Sequence, residues 1–535
     1  MENGFLSIVL HAHLPYVRHP EYDSFFEENW LFEAITECYI PLISVLDRLL
    51  EDKVEYRLTL SLSPPLITML RDELLIERYL NYLNKRIELA EKEILRTQNQ
   101  PSYQNLANYY LLFFQNTQDT YQNRYQCDLV SAFKKHHTAG KLELITTAGT
   151  HGFLPALSVS ETAVRNQVNI GIETFKENLG FAPSGFWLPE CAYYPGLETV
   201  LADAGIDYFF VDTHAITAAS EPPHSGVYAP LDCGNGVAAF GRDPESSRQV
   251  WSSNEGYPGD YDYREYYSDI GFDLDLDYIA SYILDGKTRI NTGIKYHRVT
   301  GEDKPKEIYQ TKVALAKAKQ HAQDFIGKRQ QQIEHLNAII DKPPIIVAPY
   351  DAELFGHWWF EGPAWLEQVL RFASDNESGV QTVSCGDYLK LQTSLQVSTP
   401  SASTWGDEGY SSYWINEEND WIYPYLHQAE VEIEKLTSDL QGLAVSSLQQ
   451  RALNQAARSL LLAQASDWPF ILKSGTTRDY ARKRVTDHLA RFNYLHDSIR
   501  KNNINERYLL ALETMDKIFP EIDFRNFTPC KIQRD

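Results

Sequence analysis

The sequence predicts an α/β fold built on a parallel sheet or barrel and followed by an all-helical domain. Seven short apolar runs indicate buried strands and alternate with helical patterns, as in parallel folds. Between the second and third runs, residues 72–140 are polar, rich in Tyr and Gln, and have helical periodicity. The candidate strands are residues 5–10, 56–60, 142–147, 185–188, 208–211, 237–240 and 345–348.

A change of character near residue 398 marks the start of the helical part. A linker-like stretch, PSAST, precedes long segments with an apolar helical period. We expect the α/β unit over residues 1–71 and 141–397, a mostly helical insertion at 72–140, and a helical C-terminal domain at 398–535. Residues 220–269 are rich in Gly and Tyr and are typical of a long functional or disordered loop.

The composition limits the class of ligand and the compartment. Lys and Arg number 49 against 73 Asp and Glu, and the net charge of -24 disfavours nucleic acid and anionic membranes as partners. The sequence has neither a basic leader nor an apolar run long enough to cross a membrane. Six cysteines are dispersed without a C-x-x-C pair, at positions 38, 127, 191, 233, 385 and 530. These features predict a soluble, cytoplasmic protein, which we expect to be a monomer.

Two carboxylates follow predicted buried strands and suggest one shared active site. Glu190 lies in WLPECAY, residues 187–193, and Asp351 lies in APYDAE, residues 348–353. Parallel α/β folds place their chemistry beyond strand ends, and a carboxylate pair there suggests glycosidic chemistry. For either residue alone, a helix cap or a surface salt bridge is the favoured interpretation. The aromatic residues around both segments favour the site, because they would desolvate a carboxyl group and raise its pKa.

Four histidines also follow predicted strands. His11 and His13 have the spacing that points two strand side chains to the same face, and His151 and His357 follow later strands. Three interpretations remain open from the residues alone. The imidazoles recognise sugar hydroxyls, or His11, His13 and His151 bind a metal with a carboxylate, or each satisfies local backbone groups.

A dense group of aromatic residues begins the helical domain. Trp405, Trp414 and Trp421 lie there among several tyrosines, and DWP, which starts at Asp467, ends a long helical run. Sugar rings present flat C–H faces that pack on aromatic rings, so this group is a candidate ligand platform. A hydrophobic plug between domains explains the same pattern equally well.

At these residues the chain resembles glycoside hydrolase family 57, and within it the 1,4-α-glucan branching enzymes. The resemblance covers essentially the whole length. It is carried by HAHLP at 11–15, GTHGF at 149–153, WLPECAY at 187–193, APYDAELFGHWW at 348–359 and the stretch 414–421. FGRDP at 240–244, QVWS at 249–252, GYPG at 256–259 and YRE at 263–265 resemble the branching-enzyme subgroup.

The resemblance implies a distorted (β/α)7 barrel and a retaining mechanism without metal or organic cofactor. Glu190 would be the nucleophile and Asp351 the general acid/base, acting on an α-1,4-glucan to form α-1,6 branches. The residues expected to bind the glucan are His11, His13, His151, Trp187, Arg264, His357, Trp358, Trp405, Trp414, Trp421 and Asp467.

One segment departs from the pattern of the family. Branching enzymes of this family carry a loop with a tyrosine at its tip, whereas residues 229–236 here read APLDCGNG, and the nearest aromatic residue is Tyr228. The departure keeps two alternatives open, namely hydrolysis of the same glucan and glucan binding without turnover. A metal-dependent hydrolase or deacetylase is a third alternative, suggested by the spacing of His11 and His13.

Overall fold

A sheet of ten strands forms the centre of the molecule. The computed structural model describes residues 4–252, 255–301, 304–375 and 378–529, so Cys530 lies outside the described residues. Buried apolar side chains fill almost every position of the long strands β1 and β8, as expected for strands covered on both faces. The strands are β1 (Gly4–Ala12), β2 (Leu58–Leu62), β3 (Leu142–Thr147), β4 (Gly185–Trp187), β5 (Tyr208–Val211), β6 (Leu231–Asp232), β7 (Ala238–Gly241), β8 (Ile345–Asp351), β9 (Val380–Thr382) and β10 (Gln396–Val397).

Seven of these strands form a parallel barrel wall in the order β8, β1, β2, β3, β4, β5, β7. The edge strands β7 and β8 come together through the backbone bond from the Asp243 N–H to the Val347 carbonyl, 2.9 Å. A cluster that includes Val9, Ile145 and Phe240 fills the interior. Strand β6 pairs antiparallel with β7, while β9 and β10 add parallel edges to β1 and β6. The fold is therefore the predicted α/β type with a distorted barrel.

Helices surround the barrel and fill the segment between β2 and β3. A π-helical segment, Ile35–Tyr39, joins the first two helices. The helices of this part are α1 (Glu28–Ala34), α2 (Ile40–Glu51), α3 (Pro64–Leu70), α4 (Glu73–Arg96), α5 (Pro101–Asp119), α6 (Leu129–Thr138), α7 (Leu154–Leu157), α8 (Glu161–Leu179), α9 (Leu197–Asp203), α10 (Thr213–Thr217), α11 (Pro244–Trp251), α12 (Ile270–Asp273), α13 (Leu276–Ile279), α14 (Thr311–Asn337), α15 (Gly362–Ala373) and α16 (Cys385–Leu391).

Five helices form the C-terminal part, and they pack on the carboxyl ends of the barrel strands. Thr150 donates to the Leu461 carbonyl, and the Ser466 N–H donates to the His151 carbonyl at 2.9 Å. These bonds fix the start of α19 beside the loop after β3. The helices are α17 (Ile422–Asp439), α18 (Ser447–Ala463), α19 (Asp467–Ser474), α20 (Arg478–Arg500) and α21 (Glu506–Met515). In the described ranges, every helix is too short or too polar to cross a lipid bilayer.

Candidate active site

A cavity of about 800 Å³ opens at the carboxyl ends of the parallel strands. Glu190 and Asp351 both line it, as the sequence led us to expect. The strand register brings these distant segments together. His11 on β1 is level with Ser61 on β2 and with Asp351 on β8, so their side chains lie at the same edge of the barrel. The other predicted residues that line the cavity are His11, His13, His151, Arg264, Trp358, Trp405 and Asp467.

Glu190 is held in a strained backbone conformation by the C-terminal part of the chain. Its φ is +62°, in the left-handed region that costs a non-glycine residue roughly 1–3 kcal/mol. The Trp405 N–H donates to the Glu190 carbonyl at 3.0 Å and fixes this turn. The Trp405 indole donates to Glu190 Oε2 at 2.9 Å, and the Ser466 hydroxyl donates to Oε1 at 2.8 Å. Both carboxylate oxygens are thereby oriented before substrate arrives.

A chain of hydrogen bonds runs from β2 through two histidines to Glu190. Ser61 Oγ lies 3.1 Å from His11 Nδ1, His11 Nε2 lies 3.0 Å from His151 Nε2, and His151 Nδ1 lies 2.8 Å from Ser466 Oγ. Because the Ser466 hydroxyl donates to the carboxylate, its oxygen accepts from His151 Nδ1. His151 Nε2 then accepts from His11 Nε2, and His11 Nδ1 accepts from the Ser61 hydroxyl. Burial, together with the neighbouring His13, keeps the pKa of His11 and of His151 well below the usual value, so both rings are neutral.

Asp351 has a different environment, which favours its protonated form. Burial comes first, and the negative charges of Glu353 and Glu190 add to it, so that the pKa of Asp351 is raised well above its usual value. Burial also raises the pKa of Glu190 to about 7, but the donors Trp405 and Ser466 oppose that rise. The two environments therefore differ: hydrogen-bond donors favour the ionised form of Glu190, whereas burial and neighbouring carboxyl groups favour the protonated form of Asp351. This is the division that an acid and a nucleophile require.

His13 and Asp467 form a third pair in the cavity wall. His13 Nε2 lies 3.1 Å from Asp467, and His13 Nδ1 lies 2.9 Å from Ser63 Oγ. Burial disfavours the charged imidazole, but Asp467, Glu190 and Glu353 outweigh it, and the pKa of His13 is raised. His13, His151 and Asp467 do bring ligand atoms within 4.8 Å of one another. All four imidazole nitrogens already have protein partners, so the geometry fits a hydrogen-bond network better than a metal centre.

A buried ion pair lies behind the wall that carries Trp358. Arg264 donates to Glu37 at 3.1 Å, and His357 Nδ1 lies 2.8 Å from the same carboxylate. His357 Nε2 lies 3.2 Å from the Tyr266 hydroxyl, and the Tyr266 ring stacks on Trp358 with centroids 4.2 Å apart. Trp358 is 52 % exposed and offers its ring to the cavity. His357 thus supports an aromatic wall, and its own ring lies outside the cavity lining.

The π-helical segment contributes two residues that support the cavity wall. Glu37 and Tyr39 both belong to it, and Tyr39 donates to Glu353 at 2.5 Å. Gly356 packs directly on its backbone: a Cβ there would lie 1.8 Å from the Glu37 carbonyl oxygen, and its φ is +113°. A glycine is therefore required where the loop after β8 crosses this segment.

Four of the predicted binding residues, His357 and three tryptophans, lie outside the cavity lining. Trp187 is fully buried and stacks beneath His11, with centroids 4.6 Å apart. Trp414 is buried against Phe153, 5.4 Å between centroids, behind the wall. Trp421 packs on the helical core beneath the Arg482 guanidinium, 5.7 Å from its ring.

Several site residues were not predicted. Ser466 directly precedes Asp467, and Glu353 lies two residues after Asp351, so both were adjacent to recognised positions. Ser61 and Ser63 repeat on β2 the spacing of His11 and His13 on β1, a polar period-two pattern at a strand end that could have been noticed. For Tyr266, no feature of the sequence beyond its aromatic character indicated a place in the site.

Removal of the Ser466 hydroxyl is expected to weaken the nucleophile. Ser466→Ala deletes a hydrogen bond to a charged group, worth roughly 1.5–3 kcal/mol, so kcat/KM at neutral pH should fall about tenfold or more. Because this bond lowers the pKa of Glu190, its loss should also move the acidic limb of the pH–rate profile to higher pH. Ser403→Ala is the matched control, since its buried hydroxyl has no hydrogen-bond partner among the described residues. An unmoved acidic limb would contradict the role given to Ser466.

Removal of the Glu353 charge is expected to act on Asp351. Glu353 raises the pKa of Asp351, and the acid role predicted for Asp351 requires its protonated form, so Glu353→Gln should shift the alkaline limb to lower pH. For two carboxyl groups in one site, a shift of roughly one pH unit is the expected size. The measurement is kcat/KM for a malto-oligosaccharide against pH, with Glu353→Asp as the charge-retaining control. An alkaline limb that stays in place in Glu353→Gln would count against this coupling.

A buried pair of unlike carboxyl groups in an aromatic-walled cavity at the mouth of a parallel barrel defines a glycoside-cleaving enzyme. The family profile of glycosyl hydrolase family 57 matches residues 7–400, and that of the 1,4-alpha-glucan branching enzyme C-terminal domain matches residues 425–527. The chain belongs to glycosyl hydrolase family 57.

Relatives with solved structures or curated descriptions match nearly the whole chain. The alpha-amylase AmyC of Thermotoga maritima is 42 % identical with a TM-score of 0.92, and the match covers 99 % of this chain and 100 % of that one. A branching enzyme of this family from Pyrococcus horikoshii is 32 % identical with a TM-score of 0.88, over 98 % and 97 %. A 1,4-alpha-glucan branching enzyme of Thermococcus kodakarensis is 32 % identical over 96 % of this chain and 76 % of the relative.

Proposed function

We propose that this protein is a 1,4-α-glucan branching enzyme that retains the anomeric configuration. The observation that carries the proposal is that Glu190 and Asp351 line one cavity in different environments, Glu190 held by two hydrogen-bond donors and Asp351 beside two further carboxyl groups. The resemblance predicted this function. The Pyrococcus and Thermococcus relatives are described as branching enzymes, and the matched C-terminal domain is that of branching enzymes.

In the first step the chain of the donor glucan is cut. A Glu190 oxygen attacks the anomeric carbon and forms an ester bond to it, while the bond from that carbon to the glycosidic oxygen breaks. Asp351 gives its proton to the departing oxygen, so the released glucan carries a new 4-hydroxyl group. The bonds from Trp405 and Ser466 hold the attacking carboxylate in place.

In the second step the glycosyl group is transferred from Glu190 to an acceptor. Asp351, now ionised, takes the proton of a glucan 6-hydroxyl group, whose oxygen attacks the anomeric carbon as the ester bond breaks. The product is an α-1,6 branch, and Asp351 has regained its proton. Tyr266 and Trp358 offer stacked rings in the cavity wall, and Trp358 belongs to the turn that follows Asp351. We propose that this wall positions the acceptor sugar.

Hydrolysis is the second candidate, and a specific observation favours it. Residues 229–236 form a tight hairpin in which Asp232 accepts from the N–H groups of Gly234 and Gly236, and Asn235 donates to the Glu198 carbonyl. None of residues 229–236 lines the cavity, so this hairpin excludes no water from the ester. Water in place of the 6-hydroxyl group gives the amylase reaction, and the relative AmyC is described as an alpha-amylase.

Linkage analysis of amylose after incubation separates the two candidates. A branching enzyme produces new α-1,6 linkages with few new reducing ends, whereas an amylase produces reducing ends alone. The Glu190→Gln protein serves as the inactive control for contaminating activities. Reducing ends in large excess over branches would replace the first candidate with the second.

We extend the proposal to the surroundings of the enzyme. The net charge of -24 supports an uncharged glucan rather than nucleic acid as partner. The cysteines in the described ranges are all free thiols, and four of the five are buried, which supports a cytoplasmic location in α-glucan synthesis. A monomer remains our proposal, as do domain limits at residues 71, 140 and 397.

A further inference from the structure

A groove of about 600 Å³ lies between α17 and α20 and shares no lining residue with the catalytic cavity. One wall is a single face of α17, where Tyr425, Gln428 and Glu432 follow helical spacing. The other wall is formed by α20 with Asn493 and Tyr494, and by the residues just after it. Two packed helices thus hold the walls in place.

The groove presents aromatic rings to solvent. Tyr425 is 61 % exposed and Tyr494 is 41 % exposed. Tyr508, on α21, contacts Tyr494 edge-on, with centroids 4.8 Å apart and ring planes at 79°. The Tyr494 ring is therefore oriented by a neighbour before any ligand binds. Fixed, open aromatic faces suit the flat C–H face of a sugar ring.

The remaining lining residues are polar and bear little positive charge. Gln428, Asn493 and Asn503 offer amides, and Glu432 and Asp497 offer carboxylates. The only aliphatic side chain of the lining is an alanine, which disfavours a hydrophobic partner surface. Lys501 is the only Lys or Arg of the lining and pairs with Asp497 at 2.9 Å, so the groove disfavours phosphate groups. Amides, carboxylates and aromatic faces are the groups that sugar hydroxyls and sugar rings bind.

We propose that the groove between α17 and α20 is a second glucan-binding site, which holds an α-1,4-glucan chain away from the catalytic cavity. The choice of glucan rests on the proposed function, because a polymeric substrate can reach both places at once. Contact at the groove would raise the local concentration of glucan chains at the cavity. The apparent affinity would therefore increase more for polymers than for short oligosaccharides.

The test measures glucan binding in a chain whose cavity is impaired. Glu190→Gln, Trp358→Ala and Trp405→Ala are combined so that turnover and cavity binding are reduced, and retardation is measured in gels that contain glycogen, amylose or dextran. Adding Tyr425→Ala and Tyr494→Ala should weaken the remaining glycogen binding at least about fivefold, because exposed aromatic anchors dominate such contacts. Tyr410→Ala, which removes a ring that is 64 % exposed and lies in neither site, is the matched control.

The outcomes separate this site from the proposed function. Glycogen binding that the two tyrosine changes abolish supports the groove, even if the unmodified enzyme forms no branches. Binding that they leave unchanged overturns the groove, whatever the turnover. Equal binding of dextran overturns the choice of an α-1,4-glucan. A dimer that dissociates with the tyrosine changes, without glycogen binding, assigns the groove to a second copy and also overturns the proposal.

Discussion

Glu190→Gln is expected to lower kcat/KM for amylose by about 10⁴-fold or more, because an amide cannot form the ester with the anomeric carbon. The fold should survive the change. The amide oxygen can accept from the Trp405 indole, and the amide N–H can donate to the Ser466 hydroxyl, which replaces both bonds of the carboxylate. The thermal midpoint should therefore stay within a few degrees of that of the unmodified protein, equivalent to about 1 kcal/mol.

The Glu190→Ala variant provides a control, because the configuration of its product shows from which face the anomeric carbon is attacked. In Glu190→Ala, added azide can occupy the space of the carboxylate and attack the anomeric carbon from the same face. An α-linked substrate with a good leaving group should then give a β-glycosyl azide, which nuclear magnetic resonance identifies. Activity of Glu190→Gln within tenfold of the unmodified enzyme, or an α-configured azide, would remove Glu190 as nucleophile.

The strands that carry the site could be predicted because their signal is local. The apolar run at 345–348 became β8, and the extra residues of that strand bring Asp351 to its last position. The run at 142–147 became β3 with the same ends. Both are buried parallel strands, whose apolar continuity depends on the sheet alone. By contrast, β6 and β10 are two residues long and depend on pairing that local sequence does not encode.

The support of the catalytic pair could not be predicted, because it comes from distant parts of the chain. Ser466 is 276 residues from Glu190, and its approach depends on how α18 and α19 dock on the barrel. The left-handed conformation of Glu190 depends on Trp405 in the same way. Trp405 and Trp414 lie nine residues apart in one aromatic stretch, yet docking puts one at the cavity and the other in the core.

The histidines illustrate a limit of residue-type reasoning. Sugar recognition, metal binding and local structure all fit the sequence, and the structure engages both nitrogens of His11, His13 and His151 with protein groups. Two neutral rings orient Ser466 and, through it, Glu190. Burial lowers the pKa of His13, but Asp467, Glu190 and Glu353 outweigh that effect and raise it. His11 and His13 thus act on Glu190 in different ways, which only the register of β1 against β2 and β8 reveals.

Asp351→Asn is expected to slow amylose cleavage by about 10³-fold, because a general acid supplies typically 10²–10⁴-fold and a sugar oxygen is a poor leaving group without a proton. The loss should depend on the leaving group. An aryl α-glycoside with an acidic phenol leaves without protonation, so its first step should keep nearly the rate of the unmodified enzyme. Glu190→Gln makes no such distinction, since every substrate needs the nucleophile.

The second step then identifies Asp351 as the base. Without it, no group takes the proton of the acceptor hydroxyl, so the glycosyl ester on Glu190 should accumulate after a rapid release of phenol. Intact mass spectrometry should show the added sugar, and peptide mapping should place it on Glu190. The same protein with added azide should turn over again, because azide needs no base to attack. If the aryl substrate loses as much rate as amylose and no ester forms, the proton is carried by another group, and Glu353 is the nearest candidate, since it lines the same cavity and burial raises its pKa to about 7.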